Sequence, residues 1–393
     1  MKFGLLGERL THSFSPMIHA GFGDYEYILY EKKPEELDAF FESGGFDGLN
    51  VTIPYKTSVI KYCGSLSETA EAIGSVNTII RLNNGKLHGD NTDFFGFSYL
   101  FDKISKYADV TQGKVLILGS GGSSLTVRKV LESKKAKEIV IISRTGTDNY
   151  DNIGKHKDAL LIVNTTPVGM YPNNGVSPVQ DLSIFKNCRA IIDLIYNPAI
   201  TELMFQAETL DIPTIGGLSM LVAQAKGSAE RFLCSRIHDD KIELVADNIK
   251  KQTQNIILIG MPGCGKTTTG MKIAKDLSRE FADTDDLIVK FAGKSIEDIF
   301  SYDGEDIFRK LETEALKTLC KRSSLVIATG GGVVTRPENL NIMRQNGKII
   351  YIKRNLDELP TEGRPLSKKE GTKKIAAERL PLYEKWCDEE LVT

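Results

Sequence analysis

The chain has 393 residues, of which 41% are hydrophobic and 26% are charged, so its composition excludes a largely disordered protein. Its 50 Lys and Arg against 52 Asp and Glu leave a formal net charge of -2, without the basic excess of a dedicated nucleic-acid-binding protein. The six cysteines include no Cys-x-x-Cys pair, which predicts neither a disulfide framework nor a zinc site. At about 150 residues per domain, the length predicts two or three domains.

The N-terminal segment and the hydropathy of the chain predict a soluble, cytoplasmic protein. The first apolar stretch is interrupted by Glu8 and Arg9, which makes it too short and too charged for a signal peptide. No apolar run approaches the ~20 residues that span a bilayer, so we expect no membrane partner.

Short apolar runs of β type alternate with longer helical patterns through most of the chain. The clearest runs are 114–118, 138–142, 159–163, 190–193, 255–259, 325–328 and 348–352. Continuous Val, Ile and Leu runs predict central parallel strands that are covered on both faces, and their alternation with helices predicts an α/β fold. The polar segment 234–254 is the expected connector between two halves.

The first glycine-rich turn follows the run 114–118 and precedes a helical pattern. It reads Gly119-Ser120-Gly121-Gly122-Ser123-Ser124, a Gly-x-Gly-x-x-Ser variant of the dinucleotide-binding turn, and by itself it could also be a plain turn. The next run ends in Ser143-Arg144-Thr145, where an NAD site would carry an acidic residue. Arg144 suits the 2′-phosphate of NADP, and a free surface arginine is the alternative.

The second glycine-rich turn matches Gly-x-x-x-x-Gly-Lys-[Ser/Thr], between a predicted strand and a predicted helix, which is the context of a P-loop. Its glycines allow backbone N–H groups to face phosphates, Lys266 reaches the β- and γ-phosphates, and Thr267 supplies a Mg²⁺ ligand. The expected phosphate-binding residues are Gly260, Gly263, Cys264, Gly265, Lys266, Thr267 and Thr268.

Two carboxylates follow at Asp283 and Asp285. At the end of a strand, this spacing predicts that both point to one face, where one could assist Mg²⁺ and the other could meet a substrate hydroxyl. A solvated turn is the alternative.

Four further motifs lie in the C-terminal part: 304–312 (GEDIFRKLE), 330–332 (GGG), 363–366 (GRPL) and 379–383 (RLPLY). With the P-loop and the two aspartates, residues 254–393 resemble shikimate kinase. The resemblance implies that Asp283 assists Mg²⁺ and that Asp285 orients the substrate hydroxyl and accepts its proton. It also implies a substrate site formed by Arg309, Arg379, Gly331 and Gly332, and a lid at about 356–367 on which Arg364 contacts ATP. The lid is shorter than usual, and the chain ends at Thr393, where the family continues into an adenine-contacting loop and a final helix.

A different set of motifs lies before residue 235: 13–16 (SFSP), 50–56 (NVTIPYK), 76–78 (VNT), 91–93 (NTD), 164–170 (NTTPVGM), 193–198 (DLIYNP) and 220–224 (MLVAQ). Singly, the first could be a helix N-cap and Lys56 a solvated lysine. With the glycine turn, residues 1–235 resemble shikimate dehydrogenase.

The resemblance implies that Lys56 and Asp93 form the catalytic pair. It implies substrate contacts from Ser13, Ser15, Thr52, Asn77, Tyr196 and Gln224, and cofactor contacts from Thr165, Thr166, Val168 and Met220 beside the glycine turn, Arg144 and Thr145. Reduction of a ketone needs a hydride and a proton, which a lysine held by a carboxylate can donate.

Together, the resemblances imply a bifunctional enzyme that reduces 3-dehydroshikimate with NADPH and phosphorylates shikimate with ATP and Mg²⁺. We expect a substrate domain (1–105, rejoined by 210–235), a Rossmann NADP-binding domain (108–208), a linker (236–253) and a P-loop kinase domain with a parallel sheet (254–393). We expect no nucleic-acid partner, and the oligomeric state stays open. One alternative is a quinate/shikimate dehydrogenase fused to another small-molecule kinase. Another is a ligand-sensing first half without turnover, joined to an active P-loop half.

Overall fold

Three β-sheets organise the residues that the computed structural model describes, which are 1–10, 13–359 and 372–393. The chain divides into two compact units. The first unit is made of Met1–Met170, Val176–Tyr196 and Thr201–Lys250, and the second of Tyr171–Gly175, Asn197–Ile200 and Lys251–Thr393. In the described part of the chain, no helix is both long enough and apolar enough to cross a membrane.

The first sheet of the first unit is mixed. Its strands are β1 (Lys2–Gly7), β2 (Glu26–Glu31), β3 (Gly48–Val51), β4 (Ser65–Leu66), β5 (Thr78–Arg81) and β6 (Leu87–Asp90), in the order β2-β1-β3-β5-β6-β4. Strand β5 is antiparallel to both of its neighbours. Short helices accompany this sheet: α1 (Ser15–Ala20), α2 (Leu37–Ser43) and α3 (Glu68–Ile73). Because these strands are short and several are partly exposed, none of them is among the continuous apolar runs of the sequence.

The second sheet of the first unit is entirely parallel. Its strands are β7 (Lys114–Leu118), β8 (Glu138–Ile142), β9 (Leu161–Asn164), β10 (Ala190–Asp193) and β11 (Thr214–Gly216), in the order β11-β10-β9-β7-β8. Its helices are α4 (Asp93–Ile104), α5 (Gly122–Ser133), α6 (Glu202–Glu208) and α7 (Leu218–Leu233). Val115 and Ile117 pack in one buried cluster with α4 and α5, whereas Leu116 and Leu118 pack in another with α6. The expectation of α/β architecture with parallel strands covered on both faces is therefore confirmed.

The segment expected to be a polar connector is mostly helical: α8 spans Asp240–Thr253. Its buried side chains Ile242, Val245, Ala246 and Ile249 join a cluster with residues of α1 and α7. The polar composition concealed this apolar stripe because only one face of the helix is buried. The division between the two units falls at Lys250–Lys251, near the end of α8.

The second unit contains a parallel five-stranded sheet. Its strands are β12 (Asn255–Ile259), β13 (Phe281–Asp283), β14 (Val326–Ala328), β15 (Gly347–Lys353) and β16 (Glu389–Val392), in the order β13-β14-β12-β15-β16. Its helices are α9 (Lys266–Asp276), α10 (Thr284–Ala292), α11 (Ile296–Asp298), α12 (Glu305–Cys320), α13 (Glu338–Arg344) and α14 (Thr372–Trp386). The carboxyl ends of parallel strands meet at one edge, so the loops after β12, β13 and β14 lie together.

Candidate active sites

Lys56 and Asp93 form an ion pair in the first unit. Lys56 follows β3 by five residues and Asp93 is the first residue of α4, yet the Lys56 Nζ lies 2.6 Å from Asp93 Oδ2. The two side chains are 20% and 11% exposed, so the pair is accessible but poorly solvated. A partly buried ammonium held by a carboxylate is arranged to donate a proton.

Asn77 and Gln224 are brought together beside the helix that carries Asp93. Asn77 precedes β5 and its Nδ2 donates to Gln224 Oε1 of α7 at 3.3 Å. Gly96 of α4 allows α7 to approach closely, because a Cβ there would lie 2.8 Å from the Met220 carbonyl oxygen and 2.9 Å from Gln224 Cβ. Thr52 follows β3 directly and is partly buried.

Ser13 and Ser15 lie at the start of α1, with Phe14 rather than a serine at the N-cap position. The Ser13 Oγ accepts from the Ser15 backbone N–H at 3.2 Å, so the structure pairs the two serines. The Phe14 ring lies 5.5 Å from that of Tyr196, whose phenol has a pKa raised by burial. The two serines expected at the substrate carboxylate thus lie near Tyr196, a further expected substrate residue from a distant part of the sequence.

The first glycine-rich turn leads directly into α5, whose N-cap is Gly121. Gly119 has φ +101°, and a Cβ there would lie 2.9 Å from Thr166 Cγ2 and 3.0 Å from Thr165 Oγ1. At Gly121 and Gly122, by contrast, a Cβ would meet nothing within 4 Å, so the turn faces open space. Open space at a helix N-terminus fits the pyrophosphate of a dinucleotide.

Several neighbours of this turn are held by local hydrogen bonds. The Ser124 hydroxyl donates to Gly121 O at 2.6 Å, the Thr165 hydroxyl donates to Leu118 O at 2.7 Å, and the Val168 N–H donates to Thr166 Oγ1 at 3.2 Å. Ser123 lies in the first turn of α5, and Met220 lies in the first turn of α7.

Arg144 and Thr145 follow β8 and are both exposed. Asp148, where the shikimate dehydrogenase pattern would carry a second cation, turns toward His156, with 2.9 Å between Asp148 Oδ1 and His156 Nε2. Arg144 is therefore the cation available at the position that recognises a 2′-phosphate.

The second glycine-rich turn joins β12 to α9 and has the backbone of a phosphate-binding loop. Gly260, Gly263 and Gly265 all have positive φ, at +147°, +85° and +95°. Lys266 folds back on the loop, where its Nζ donates to Gly260 O at 2.9 Å and to Met261 O at 3.0 Å. Cys264 is buried, with its Sγ 3.9 Å from the Lys266 Nζ. Positive-φ glycines allow the backbone N–H groups to converge on an anion.

Asp283 and Asp285 reach one cavity, although not for the reason that their spacing predicts. Asp283 ends β13, but Asp285 lies in the first turn of α10, and Asp283 caps that helix by accepting from the Asp285 N–H at 3.0 Å. The Thr267 hydroxyl donates to Asp283 Oδ2 at 2.9 Å. These oxygen ligands fit Mg²⁺, which binds few protein groups and keeps several waters.

A cavity of about 490 Å³ lies among the candidate site residues of the second unit. It is lined by Gly263, Gly265, Lys266, Thr267, Thr268, Asp283, Asp285, Arg309, Glu312, Gly330, Gly331, Gly332, Arg354 and Arg379, with Phe300 and Phe308 among its apolar residues. Burial, together with the charges of Asp283 and Glu312, raises the pKa of Asp285 to about 6. A carboxylate with a raised pKa is a suitable proton acceptor for a hydroxyl.

Arg309 is fixed between two carboxylates of its own helix. Its Nη1 donates to Glu312 Oε2 at 2.7 Å, and its Nε and Nη2 donate to Glu305 Oε1 at 3.2 and 3.0 Å. Gly332 lies against this guanidinium, because a Cβ there would fall 2.0 Å from Nη1.

Arg379 enters the same cavity from α14. Its Nη1 donates to Gly331 O at 3.1 Å, and the Tyr383 hydroxyl donates to the same oxygen. The Arg379 Nε is buried and makes no hydrogen bond to any residue that the structure describes. Arg379 also lines the cavity, where a guanidinium is suited to an anionic ligand. Arg364 lies outside the described residues.

Three charged residues that line the cavity were not predicted from the sequence: Glu297, Glu312 and Arg354. Glu312 is fully buried and belongs to the 304–312 motif, and Arg354 directly follows β15. The signal for Arg354 was available, since it lies at the carboxyl end of a predicted parallel strand.

Models of known protein families match a part of each of the two units. Residues 5–79 match the model of the shikimate dehydrogenase substrate binding domain, and residues 262–392 match the model of shikimate kinase.

Relatives and solved structures match the first part of the chain. The chain is 33% identical over 269 residues to a Clostridium perfringens protein named shikimate dehydrogenase (NADP(+)), covering 63% of this chain and 98% of that protein. A protein of the same name from Methanopyrus kandleri is 36% identical over 251 residues, with 56% and 86% covered.

Among solved structures, a chorismate mutase/shikimate 5-dehydrogenase fusion protein from Clostridium acetobutylicum has a TM-score of 0.59 at 32% identity, covering 64% of this chain and 97% of that one. Shikimate 5-dehydrogenase from Thermus thermophilus, in complex with NADP(H) and shikimate, has a TM-score of 0.57 at 26% identity, with 63% and 99% covered. The chain therefore belongs to the shikimate dehydrogenase family, and it carries a shikimate kinase domain in its second unit.

Proposed function

We propose that this chain is a bifunctional enzyme that reduces 3-dehydroshikimate to shikimate with NADPH and phosphorylates the shikimate 3-hydroxyl with ATP. The Lys56–Asp93 ion pair carries the first assignment, because it combines a proton donor with a carboxylate beside Asn77 and Gln224. Because the first reaction produces the substrate of the second, the pairing of the two domains is chemically coherent.

In the reductase half, NADPH supplies a hydride to the carbonyl carbon when it is bound. The Lys56 ammonium donates a proton to the carbonyl oxygen, and Asp93 orients Lys56 and a neighbouring substrate hydroxyl. Thr52, Asn77 and Gln224 bind the remaining hydroxyl groups.

At the edges of this site, Ser13, Ser15 and Tyr196 bind the substrate carboxylate end. The cofactor would lie on the Gly119–Ser124 turn with Thr165, Thr166, Val168 and Met220 beside it, and with Arg144 and Thr145 at its 2′-phosphate. The open space at Gly121 and Gly122 and the exposed Arg144 support this arrangement.

In the kinase half, Asp285 accepts the proton of the attacking hydroxyl, while Arg309 and Arg379 bind the substrate carboxylate with Gly331 and Gly332 close by. The position of both arginines in the lining of one cavity supports this role, because a carboxylate is bound well by guanidinium groups. Lys266 and the N–H groups of the P-loop bind the phosphates of ATP.

Thr267 and Asp283 would hold Mg²⁺, which neutralises charge on the phosphates. Arg364 stays a prediction for the same phosphoryl group.

A two-stage assay with the purified full-length chain tests the proposal. Addition of 3-dehydroshikimate and NADPH is expected to give NADPH oxidation, and later addition of ATP and Mg²⁺ is expected to give ADP release that depends on shikimate. Oxidation of quinate with no reduction of 3-dehydroshikimate would overturn the first assignment. ADP release at the same rate with and without shikimate would overturn the second assignment.

A further inference from the structure

A cluster of buried polar side chains lies under the proposed reductase site. It consists of Asn50, Asn77, Thr78, Thr92 and Ser228, none of which is more than 4% exposed. They come from the end of β3, the start of β5, the N-cap of α4 and the middle of α7. Burial of so many hydrogen-bonding groups is costly unless every one of them is satisfied.

Ser228 is at the centre of this cluster. Its Oγ lies 2.7 Å from Asn50 Nδ2, 2.8 Å from Thr78 Oγ1 and 3.1 Å from Thr92 Oγ1. The Gln224 carbonyl oxygen, one helical turn earlier, lies 3.1 Å away. One hydroxyl therefore connects two strands and two helices.

Groups that can only donate or only accept fix the direction of three hydrogen bonds in and beside the cluster. The Tyr27 hydroxyl donates to Asn50 Oδ1 at 2.8 Å, so the Asn50 amide directs its Nδ2 donor at Ser228. Ser228 accepts that bond and donates its one proton to the Gln224 carbonyl oxygen, and the Thr78 and Thr92 hydroxyls both lie within hydrogen-bond distance of its Oγ. The Thr78 hydroxyl donates to Asn77 Oδ1 at 3.0 Å.

Thr78 and Thr92, which both contact Ser228, hold the oxygen end of the Asn77 amide. The Thr92 backbone N–H also donates to Asn77 Oδ1, at 2.7 Å, so both lone pairs of that oxygen are used. The Nδ2 group donates to Thr92 Oγ1 at 3.0 Å and to the Gln224 Oε1 acceptor at 3.3 Å. A donor beside an acceptor is the pair that recognises a hydroxyl group, which can accept from one and donate to the other.

We propose that Ser228 is a positioning residue that holds Thr78 and Thr92, the two residues that donate to Asn77 Oδ1, and so keeps Asn77 and Gln224 placed to select a substrate hydroxyl. The inference rests on the proposed reductase function. Ser228 acts through Thr78 and Asn77, and it does not touch the substrate.

Ser228→Ala tests the proposal in the full-length chain. Without the Ser228 hydroxyl, Thr78 and Thr92 lose their shared hydrogen-bond partner, so the Asn77 amide that both of them hold is fixed less firmly beside Gln224. We expect KM for 3-dehydroshikimate to rise about tenfold, which is typical for one disrupted buried hydrogen bond, while kcat and KM for NADPH stay within about twofold. The matched control is Ser133→Ala, because the Ser133 hydroxyl also donates to a carbonyl of its own helix, Val130 O at 2.7 Å, but outside this cluster.

A double substitution separates positioning from general damage to the fold. In the Asn77→Ala background, Ser228→Ala is expected to raise KM no further, because the amide that it orients is gone. Ser228→Cys keeps the volume of the side chain and provides the same comparison if the alanine variant does not fold. An equal rise in KM for both substrates, or a full additional rise in the Asn77→Ala background, would overturn the inference.

Failure of the proposed function gives a different result. If the unsubstituted chain does not reduce 3-dehydroshikimate, the reductase assignment is wrong, whereas an active chain with an unaffected Ser228→Ala variant contradicts only the positioning role.

Discussion

The Lys56 ammonium and the Asp93 carboxylate are 2.6 Å apart in a partly buried position. If Lys56 donates the proton, Lys56→Met is expected to lower kcat for ketone reduction by about 10²–10⁴-fold, with a smaller change in KM. Steady-state kinetics of NADPH oxidation measure both values. The control is Lys61→Met, since Lys61 is 61% exposed and pairs with Asp38 on the surface. Near-normal kcat in Lys56→Met would make Lys56 an ordinary solvated lysine.

Arg144 is the exposed cation expected to distinguish the two nicotinamide cofactors. Arg144→Ala is expected to raise KM for NADPH by about 10–100-fold and to leave KM for NADH nearly unchanged, because only NADPH carries a 2′-phosphate. Arg128→Ala serves as the control, since Arg128 is an exposed residue of α5 that pairs with Glu132. An equal loss with both cofactors would contradict the assignment.

Asp285 is expected to act in catalysis and also to lower the stability of the folded protein. Its carboxyl has a pKa raised to about 6 by burial and by neighbouring acidic groups, against an ordinary value of 3.8. The folded protein therefore holds this proton more tightly than the unfolded chain, so its contribution lowers stability as pH rises from about 4 to about 6. Kinase activity, which needs the ionised form, is expected to fall about tenfold per pH unit below about 6.

Asp285→Asn is expected to abolish phosphoryl transfer and to stabilise the second unit by up to about 3 kcal/mol at pH 8, with the gain disappearing near pH 4. Trp386 is the only tryptophan and lies in α14, so its fluorescence during urea unfolding reports on that unit. Asp276→Asn, an exposed change at the end of α9, is expected to alter stability little at either pH. If Asp285→Asn is less stable than the unsubstituted protein at pH 8, the Asp285 carboxylate does not lower stability as we expect.

At the level of elements, α8 shows how a polar helix can be part of a core. Ile242 is fully buried, whereas Leu244, two residues later, is 60% exposed. Ile242→Ala is expected to lower the free energy of unfolding by about 2–5 kcal/mol, and Leu244→Ala by less than about 0.5 kcal/mol. Circular dichroism during urea unfolding measures both changes. Equal effects would mean that α8 does not pack as described.

The P-loop and the position of Asp285 differ in how well the sequence alone predicts them. The P-loop could be predicted because its function depends on residues 260–267 and on the strand and helix beside them. The position of Asp285 was expected for the wrong reason, since the strand ends at Asp283 and the helix begins immediately afterwards. Spacing alone could not distinguish two residues of a strand from a helix cap and its first turn.

For the whole molecule, the proposed reductase residues belong to the first unit and the proposed kinase residues that the structure describes belong to the second. We therefore expect the two activities to be lost independently. Lys56→Met is expected to stop NADPH oxidation only, and Lys266→Ala to stop ADP release only, with the double variant losing both. Assays of both activities in all four proteins measure this. Loss of reductase activity in a folded Lys266→Ala protein would contradict independent sites and favour a composite or ATP-regulated one.

The sequence by itself determined the α/β class, several strands and both glycine-rich turns. β7, β10 and β12 coincide with their apolar runs because they are mostly buried and a strand buried on both faces is continuously apolar, and the less buried β8 also coincides with its run. The motif sets also identified the two enzyme families before any geometry was known, and the families are confirmed.

Only the tertiary structure decided which polar groups meet. Ser228 lies 178 residues from Asn50 and 150 from Thr78, and nothing near any of them in the sequence indicates that they share a buried hydrogen-bond network. The same holds for the apolar face of α8, which became part of a core only because α1 and α7 were there to cover it. Local patterns determine elements because backbone propensity and periodicity act over a few residues. The satisfaction of buried polar groups depends on which elements pack together, and packing is a property of the complete fold.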